Sequence, residues 1–442
     1  MRAFSSSIPA AAGLLLAAAA TAALAAGTNE LVSVGLGGAQ SDGNCDSPAL
    51  SADGRFVAFG SLATNLVPND TNTVRDVFVR DRLKGTTERV SVSSSGAQAD
   101  VDSDFPALSA DGRYVAFFSL ATNLVQGATS GTGNIYLRDL KAGTTELLSV
   151  GLHGEEGDGF SIDPSISADG RFVAFKSGAT NLVPGDTNGA PDAFVRDRLK
   201  GKTERVNVGP HGRQPDHGVF EHVAISASGR FVAFDSYATN LVPGDTNGTI
   251  DVFVHDRLTD KTERVSVGAG GAQAKGNSAF PMLSAGGRYV VFDSDATNLA
   301  DGDTNGLDDF YVHDRVTGAT ERVSVSSTGV QGDRSVDAFP SISGNGRFVT
   351  FTTAAGTLVP HDTGYLDDVF LRDLKKGLTR RVNVGPGGVQ ANGPSGDFGL
   401  LVTQAISPDG NVVAFTSGAT NLAPGKTDFN NDILVRVLHG GS

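Results

Sequence analysis

Four short stretches of this sequence space two carboxylates and an amide in the same way. Asp70, Asn72 and Asp76 form Asp-x-Asn-x-x-x-Asp, as do Asp186, Asn188 and Asp192, then Asp245, Asn247 and Asp251, and finally Asp303, Asn305 and Asp309. Gly189, Gly248 and Gly306 follow the asparagine in three of them. Such spacing resembles the start of a calcium loop, where alternate residues turn oxygens inward and glycine permits a sharp bend. Calcium takes roughly six to eight oxygens, so carbonyls, water or a neighbouring loop must complete the shell. The competing reading is plain turn chemistry, in which Asp and Asn side chains satisfy the loop's own N–H groups.

Three degenerate copies act as an internal control. One keeps Asp362 and Asp368 around Gly364; one puts Lys426, which would repel a cation, ahead of Asp428 and Asp432. The third has Ala128, Ser130 and Asn134, losing both carboxylates at once, as residues serving one ion would. Structural calcium at the four intact loops is the expectation, and no other cofactor is expected.

Other residues that could do chemistry are less organised. His211, His217 and His222 lie in one segment with Asp216 and Glu221, but their spacing matches no helical zinc motif. Cys45 is the only cysteine, so no intrachain disulfide can form, and it reads as an incidental thiol in a Gly/Asp/Ser loop. Asp81, Asp139, Asp197, Asp256, Asp314 and Asp373 recur once per repeat, which fits the fastening of a turn better than catalysis. Nucleophile-elbow, metalloprotease, P-loop and dinucleotide motifs are absent from the sequence. Carboxylates are plentiful enough for a glycoside-cleaving pair across a channel, so an enzyme stays open.

The elements that position these residues come from a repeat. Ser51-Ala52-Asp53-Gly54-Arg55-Phe56-Val57-Ala58-Phe59 recurs from Ser109, Ser167, Ser226, Ser284, Ser343 and Ser407, at separations of 58, 58, 59, 58, 59 and 64 residues. In the copy from Phe280, a short segment limited by Pro281 precedes a tight Gly286-Gly287 turn, where most other copies carry Asp-Gly. A strand through Phe292, a long polar loop, a strand from Asp309 to Asp314 and an alternating strand from Thr320 to Val325 follow. Four short antiparallel strands per repeat are the grammar of a propeller blade, and no stretch of useful length has helical periodicity.

The last copy stops after Asp432-Ile433-Leu434-Val435-Arg436-Val437-Leu438, one strand short. Thr28-Asn29-Glu30-Leu31-Val32-Ser33-Val34 matches the fourth strand Thr87-Glu88-Arg89-Val90-Ser91-Val92 and has no first three strands before it. The prediction is an all-β, closed seven-bladed β-propeller over residues 27–442, whose N-terminal strand completes the last blade and leaves no orphan edge.

Residues 1–26 read as a cleaved secretory signal: Arg2, an apolar run around Leu14-Leu15-Leu16, and the Ala23-Leu24-Ala25 pattern. The mature chain has no further apolar run long enough to span a bilayer. A net charge of −14 excludes a phosphate-neutralising surface, so no nucleic-acid partner is expected.

The repeat resembles that of the bacterial TolB-like propellers, whose signature is Ser-Pro-Asp-Gly with a downstream Ile-Tyr-Val-Met-Asp; Ser407-Pro408-Asp409-Gly410 is the copy nearest to it. The resemblance covers nearly all of the mature chain and implies an exported propeller. Two departures from TolB itself are a missing preceding α/β domain and a longer loop between second and third strands. Together these readings give an exported, periplasmic or secreted, monomeric and non-catalytic binding or scaffold protein for a protein or glycan, with calcium-stabilised loops. The alternative is a carbohydrate-active hydrolase or lyase using carboxylates at the channel mouth. Binding is expected on the face carrying the long loops, which include Gly96-Ala97-Gln98 and its counterparts.

Overall fold

The computed structural model describes residues 27–128, 130–363, 366–396 and 404–438. The secretory signal read over 1–26 lies outside them. Seven four-stranded antiparallel sheets follow one another along the chain. Blade 1 comprises Cys45–Leu50, Phe56–Ser61, Asp76–Asp81 and Thr86–Arg89, and the next five blades repeat that pattern. Blade 7 takes Gln404–Ile406, Val412–Ser417 and Asp432–Val437 from the C-terminal end and Asn29–Leu31 from the N-terminal end. Asn29, Glu30 and Leu31 pair with Arg436, Val435 and Leu434, and Val32 N–H continues the seam onto Ile433 O at 2.8 Å. The chain is a closed seven-bladed propeller. Among the described residues no helix is long and apolar enough to cross a membrane.

The core lies between successive sheets. One cluster combines Ala174, Val195 and Val206 of blade 3 with Val223, Phe234 and Phe253 of blade 4, all buried. Each of the first six blades pairs two aromatic rings across its second and third strands; Phe59–Phe78, Phe117–Tyr136 and Phe351–Phe370 have centroids 6.0, 5.8 and 5.7 Å apart. These are among the largest fully buried side chains of the chain, and each adds apolar area and ring contact to the core of a helix-poor fold.

The turn after the first strand is longer than a two-residue loop. Ser51 N–H donates to Phe56 O and Gly54 N–H to Ser51 O, and Gly54 alone takes the left-handed conformation, at φ 65°. Asp53 instead acts as an acceptor, for Ser51 Oγ at 2.6 Å and Arg55 N at 3.0 Å. Asp81 fastens the opposite hairpin: Arg55 grips it with two bonds of 2.9 and 2.6 Å, and the Leu83 and Lys84 N–H groups donate to it.

Cys45 differs from its reading as a loop residue. It begins the first strand of blade 1, fully buried, opposite Ser61, where blade 2 has Ser103 opposite Ser119. Burial, with Asp432 nearby, pushes its thiol up to about 12, so it is a core residue and a poor nucleophile.

Candidate binding site at the long-loop face

The acidic loops connect second to third strands and emerge on one face of the ring. In each intact copy the two carboxylates come together around an arginine from the fourth strand. Arg89 lies 3.2 Å from Asp70 and 3.6 Å from Asp76; Arg205 lies 3.3 Å from Asp186 and 3.1 Å from Asp192. Arg264 lies 3.1 Å from Asp245 and 3.4 Å from Asp251, and Arg322 lies 3.6 Å from Asp303 and 3.1 Å from Asp309. The amide of the motif braces the pair: Asn72 Nδ2 donates to Asp76 and to Ala99 O, and Asn247 Nδ2 to Asp251 and Ala274 O. Asn188 makes longer bonds to Asp192 and Pro215 O, whereas Asn305 reaches Gly332 O. Burial raises the Asp76, Asp192 and Asp251 carboxyls above their usual range despite the guanidinium beside them.

The glutamine of the inter-blade loop joins the same network. Gln273 Oε1 accepts from Arg264 at 2.8 Å and Thr246 N–H at 3.1 Å, and Gln331 Oε1 accepts from Arg322 at 2.6 Å. The loops of each blade are thus tied to the connection leading into the next.

The degenerate copies follow the arginine. Blade 2, with Ala128 and Asn134 in place of the carboxylates, has Leu147 where blade 1 has Arg89, and Glu156 bonds Ser130 and Asn134 instead. Blade 7 has Leu31 at that position and supplies its cation from the loop: Lys426 Nζ lies 2.8 Å from Asp432. Blade 6 keeps Arg381, 2.6 Å from Asp362 and 3.1 Å from Asp368. Joint loss of the carboxylates therefore extends to the side chain that neutralises them. Among the described residues no group of three or more His, Cys, Asp or Glu side chains is placed to hold a metal ion.

The three histidines do not converge. His217 is exposed and 3.6 Å from Asp216, and His211 sits in an exposed turn at φ 63°. His222 is buried in the first strand of blade 4 and faces the central channel, with Nδ1 2.6 Å from Asp163 and Nε2 3.2 Å from Met282 Sδ. Burial opposes its imidazolium, but the carboxylates of Asp163 and Asp235 outweigh that and raise its pKa.

The channel is a cavity of 220 Å³ to which the first strands of all seven blades contribute. Its wall is apolar at Leu50, Leu108, Ile166 and Ile406 and polar at Asp163 and His222. Four lining strands bulge before a proline: Ser47, Phe105, Asp163 and Phe280 take φ of 55°, 51°, 62° and 52°. Proline biases the preceding residue toward extended geometry, so the left-handed backbone is a strained feature repeated around one ring of the channel.

At the long-loop end, one strand position breaks the internal symmetry. The penultimate residue of the second strand is Gly60, Phe118, Lys176, Asp235, Asp293, Thr352 and Thr416 in blades 1 to 7. Asp235 is buried and accepts backbone N–H bonds from Glu221, His222 and Phe280 at 2.8, 3.2 and 3.0 Å. Burial, then Asp308, pushes Asp293 up to about 8. Arg75 ties Asp46 to Asp104, with 2.6 Å to the latter. Lys176 Nζ holds Phe220 O at 2.9 Å and lies 3.6 Å from Glu221. Phe220 and Tyr237 meet edge to face at 5.7 Å and are 37% and 41% exposed, with Phe160 equally open in blade 3.

No family model matches the chain, and no curated protein does. Solved structures match it widely. An oligogalacturonate lyase in complex with manganese shares 12% identity over 94% of this chain and 99% of its own, with a TM-score of 0.54. The β-propeller domain of the Trilobed protease from Pyrococcus furiosus shares 11% over 90% and 96%, with a TM-score of 0.52. TolB from Acinetobacter baumannii shares 17% over 78% of this chain, which spans 65% of the TolB chain, with a TM-score of 0.41. The fold is a seven-bladed β-propeller. At these identities the likeness is one of fold, and propellers carry unrelated activities.

Proposed function

We propose that this chain is an exported, monomeric, non-catalytic propeller that binds a protein or glycan over the channel mouth of its long-loop face. The observation that carries the reading is the broken symmetry there: the scaffold repeats, while the residues around the mouth of blades 3 to 5 do not. Exposed Phe160, Phe220 and Tyr237 beside Lys176 and Glu221 offer aromatic faces with polar groups at hand, a composition suited to sugars or to a protein hot spot. Asp46, Asp104, Asp163 and Asp235 are already committed to Arg75, His222 or backbone N–H groups, which argues against their use as a catalytic pair.

The test is a glycan array and an envelope-protein binding screen with the wild type and with Phe220→Ala/Tyr237→Ala. Loss of binding in the double variant is expected, and undiminished binding would overturn the site.

The hydrolase or lyase reading retains one specific support. A carboxyl at about 8 stays protonated at neutral pH, as a general acid must, and Asp293 is such a group at the mouth. Turnover of a polysaccharide that Asp293→Asn abolishes while binding persists would favour it.

Structural calcium in the acidic loops is supported by Asn72 Oδ1 and Asn247 Oδ1, which are buried without a hydrogen-bond partner. Against it stands the arginine that neutralises each carboxylate pair. We favour the arginine as the resident cation.

A further inference from the structure

The opposite face, where the short turns lie, carries a second repeated device. The residue after the third strand reaches back to the preceding blade. Arg82 binds Glu30 at 2.7 Å, Arg198 binds Glu146 at 2.5 Å, Arg257 binds Glu204 at 2.5 Å and Arg315 binds Glu263 at 2.5 Å. Each guanidinium also donates to a turn carbonyl, namely Gly54, Gly170, Gly229 or Gly287. Three of them stack on an aromatic ring of the preceding blade: Arg198 on Tyr114 at 4.5 Å, Arg257 on Phe172 at 4.4 Å and Arg315 on Phe231 at 4.3 Å. Carboxylate, carbonyl and ring together form a cradle for a planar cation.

At two junctions the cradle lacks its cation. Leu140 stands where blade 3 has Arg198, and Leu374 stands at the same place in blade 6. The glutamates remain, as Glu88 and Glu321, both exposed; Arg138 and Arg372 lie within electrostatic reach of them, as Arg80 and Arg196 do of Glu30 and Glu146, but among the described residues no cation makes a direct ion pair or hydrogen bond with either. Gly112 and Gly346 remain as the turn glycines, and no donor among the described residues reaches their carbonyls. Phe56 and Tyr289 remain as the rings, each with its own blade's arginine on one side, Arg55 at 4.7 Å and Arg288 at 4.9 Å. Leucine packs beside the ring but has no donor for the carboxylate or the carbonyl. Phe56, Glu88, Gly112 and Leu140 line one groove of 480 Å³; Tyr289, Glu321, Gly346 and Leu374 line another of 450 Å³. The corresponding groove between blades 3 and 4 measures 410 Å³ and has Arg257 on its wall.

We propose that the cradles at Glu88 and Glu321 take arginine side chains presented by a partner polypeptide. The chain itself supplies the precedent, since four junctions fill the same carboxylate-and-carbonyl site with a guanidinium. The net charge of −14 favours a basic partner, and within the grooves Lys84, Arg113 and Lys141, or Arg347 and Lys375, stand among the carboxylates, so selection falls to the carboxylate-and-carbonyl site itself. Grooves of this size admit a side chain together with its flanking backbone. The inference concerns the face opposite the channel mouth and stands apart from the reading given there.

Saturation-transfer NMR on the full mature protein, with N-acetyl-argininamide as probe and N-acetyl-norleucinamide as control, tests it. The arginine probe gives signal and the norleucine probe none. Leu140→Arg/Leu374→Arg fills both cradles from within, so it abolishes that signal and raises the melting temperature. Glu88→Gln/Glu321→Gln abolishes the signal without filling the grooves, which decides the matter should the arginine variant not fold. Equal signal from the wild type and the glutamine variant, or none from the wild type, would overturn the assignment. Free arginine binding more tightly than the blocked residue would point to a small solute and overturn the partner chain.

Discussion

Lys426 Nζ lies 2.8 Å from Asp432 Oδ2, and neither side chain reaches solvent. In blades 1 and 3 to 6 the matching carboxylate is neutralised by an arginine on the fourth strand, but in blade 7 that position is Leu31. The cation has changed elements while the pairing has been kept. Removing one partner of such a pair leaves a buried charge uncompensated, which costs roughly 3–5 kcal/mol. Lys426→Met should therefore lower the urea midpoint strongly. Lys426→Asp combined with Leu31→Arg, which rebuilds the arrangement of blade 1, should recover much of the loss.

Asp293 gives a pH signature. Its carboxyl is pushed up to about 8 when folded, against about 3.9 in an unfolded chain. Between those values the native state holds a proton that the unfolded chain has released. Its contribution to stability is thus complete below about pH 4 and is lost as pH rises through about 8. Asp368, pushed up to about 6 by burial, acts in the same direction over a narrower window. Asp293→Asn should flatten the fall in melting temperature between pH 5 and pH 8, as a thermal series on the two proteins will show.

Chelation separates the two readings of the acidic loops. With arginine as the resident cation, a chelator leaves the melting temperature unmoved. Calcium at sites with Kd near 10⁻⁴ M would instead add about 1.4 kcal/mol per loop at millimolar concentration. A calcium-dependent rise that Asn72→Ala/Asn247→Ala removes would reverse our preference.

The seam of the ring is open to the same kind of test. Val32 is fully buried and its N–H donates to Ile433 O at 2.8 Å. Val32→Pro removes that donor and misfits the buried site, at a cost of about 2 kcal/mol or more. Limited proteolysis should then cut near the N-terminal strand in the variant and spare it in the wild type.

Much of this architecture can be read without coordinates. The match of Asn29–Leu31 to Thr86–Arg89 closes the ring because hydrophobic alternation and the count of strands leave no other place for either end. The role of the acidic loops was less accessible, although a signal existed: Leu147 and Leu31 replace arginine in the two blades that lose the first aspartate of the motif, to Ala128 and Lys426. The motif alone cannot tell a metal from a guanidinium, since both demand converging carboxylates. The bulges at Ser47, Phe105, Asp163 and Phe280 run against the local bias before proline and come from packing around the channel. His222 was hidden for a related reason. The first strand of blade 4 is Val219–Ile225, one residue longer than its counterparts in blades 1 to 3, and His222 lies within the register shift between Val219 and Val223.

Gly27 N–H donates to Val437 O at 2.9 Å, so the first and last described strands finish side by side. A short linker could join them covalently, and fresh termini could be cut into any of the exposed inter-blade connections without disturbing a single ladder. The order in which blades are synthesised is therefore a convention of the gene and not a requirement of the wheel. A permuted chain beginning at blade 4 would fold to the same object with no seam between its old ends.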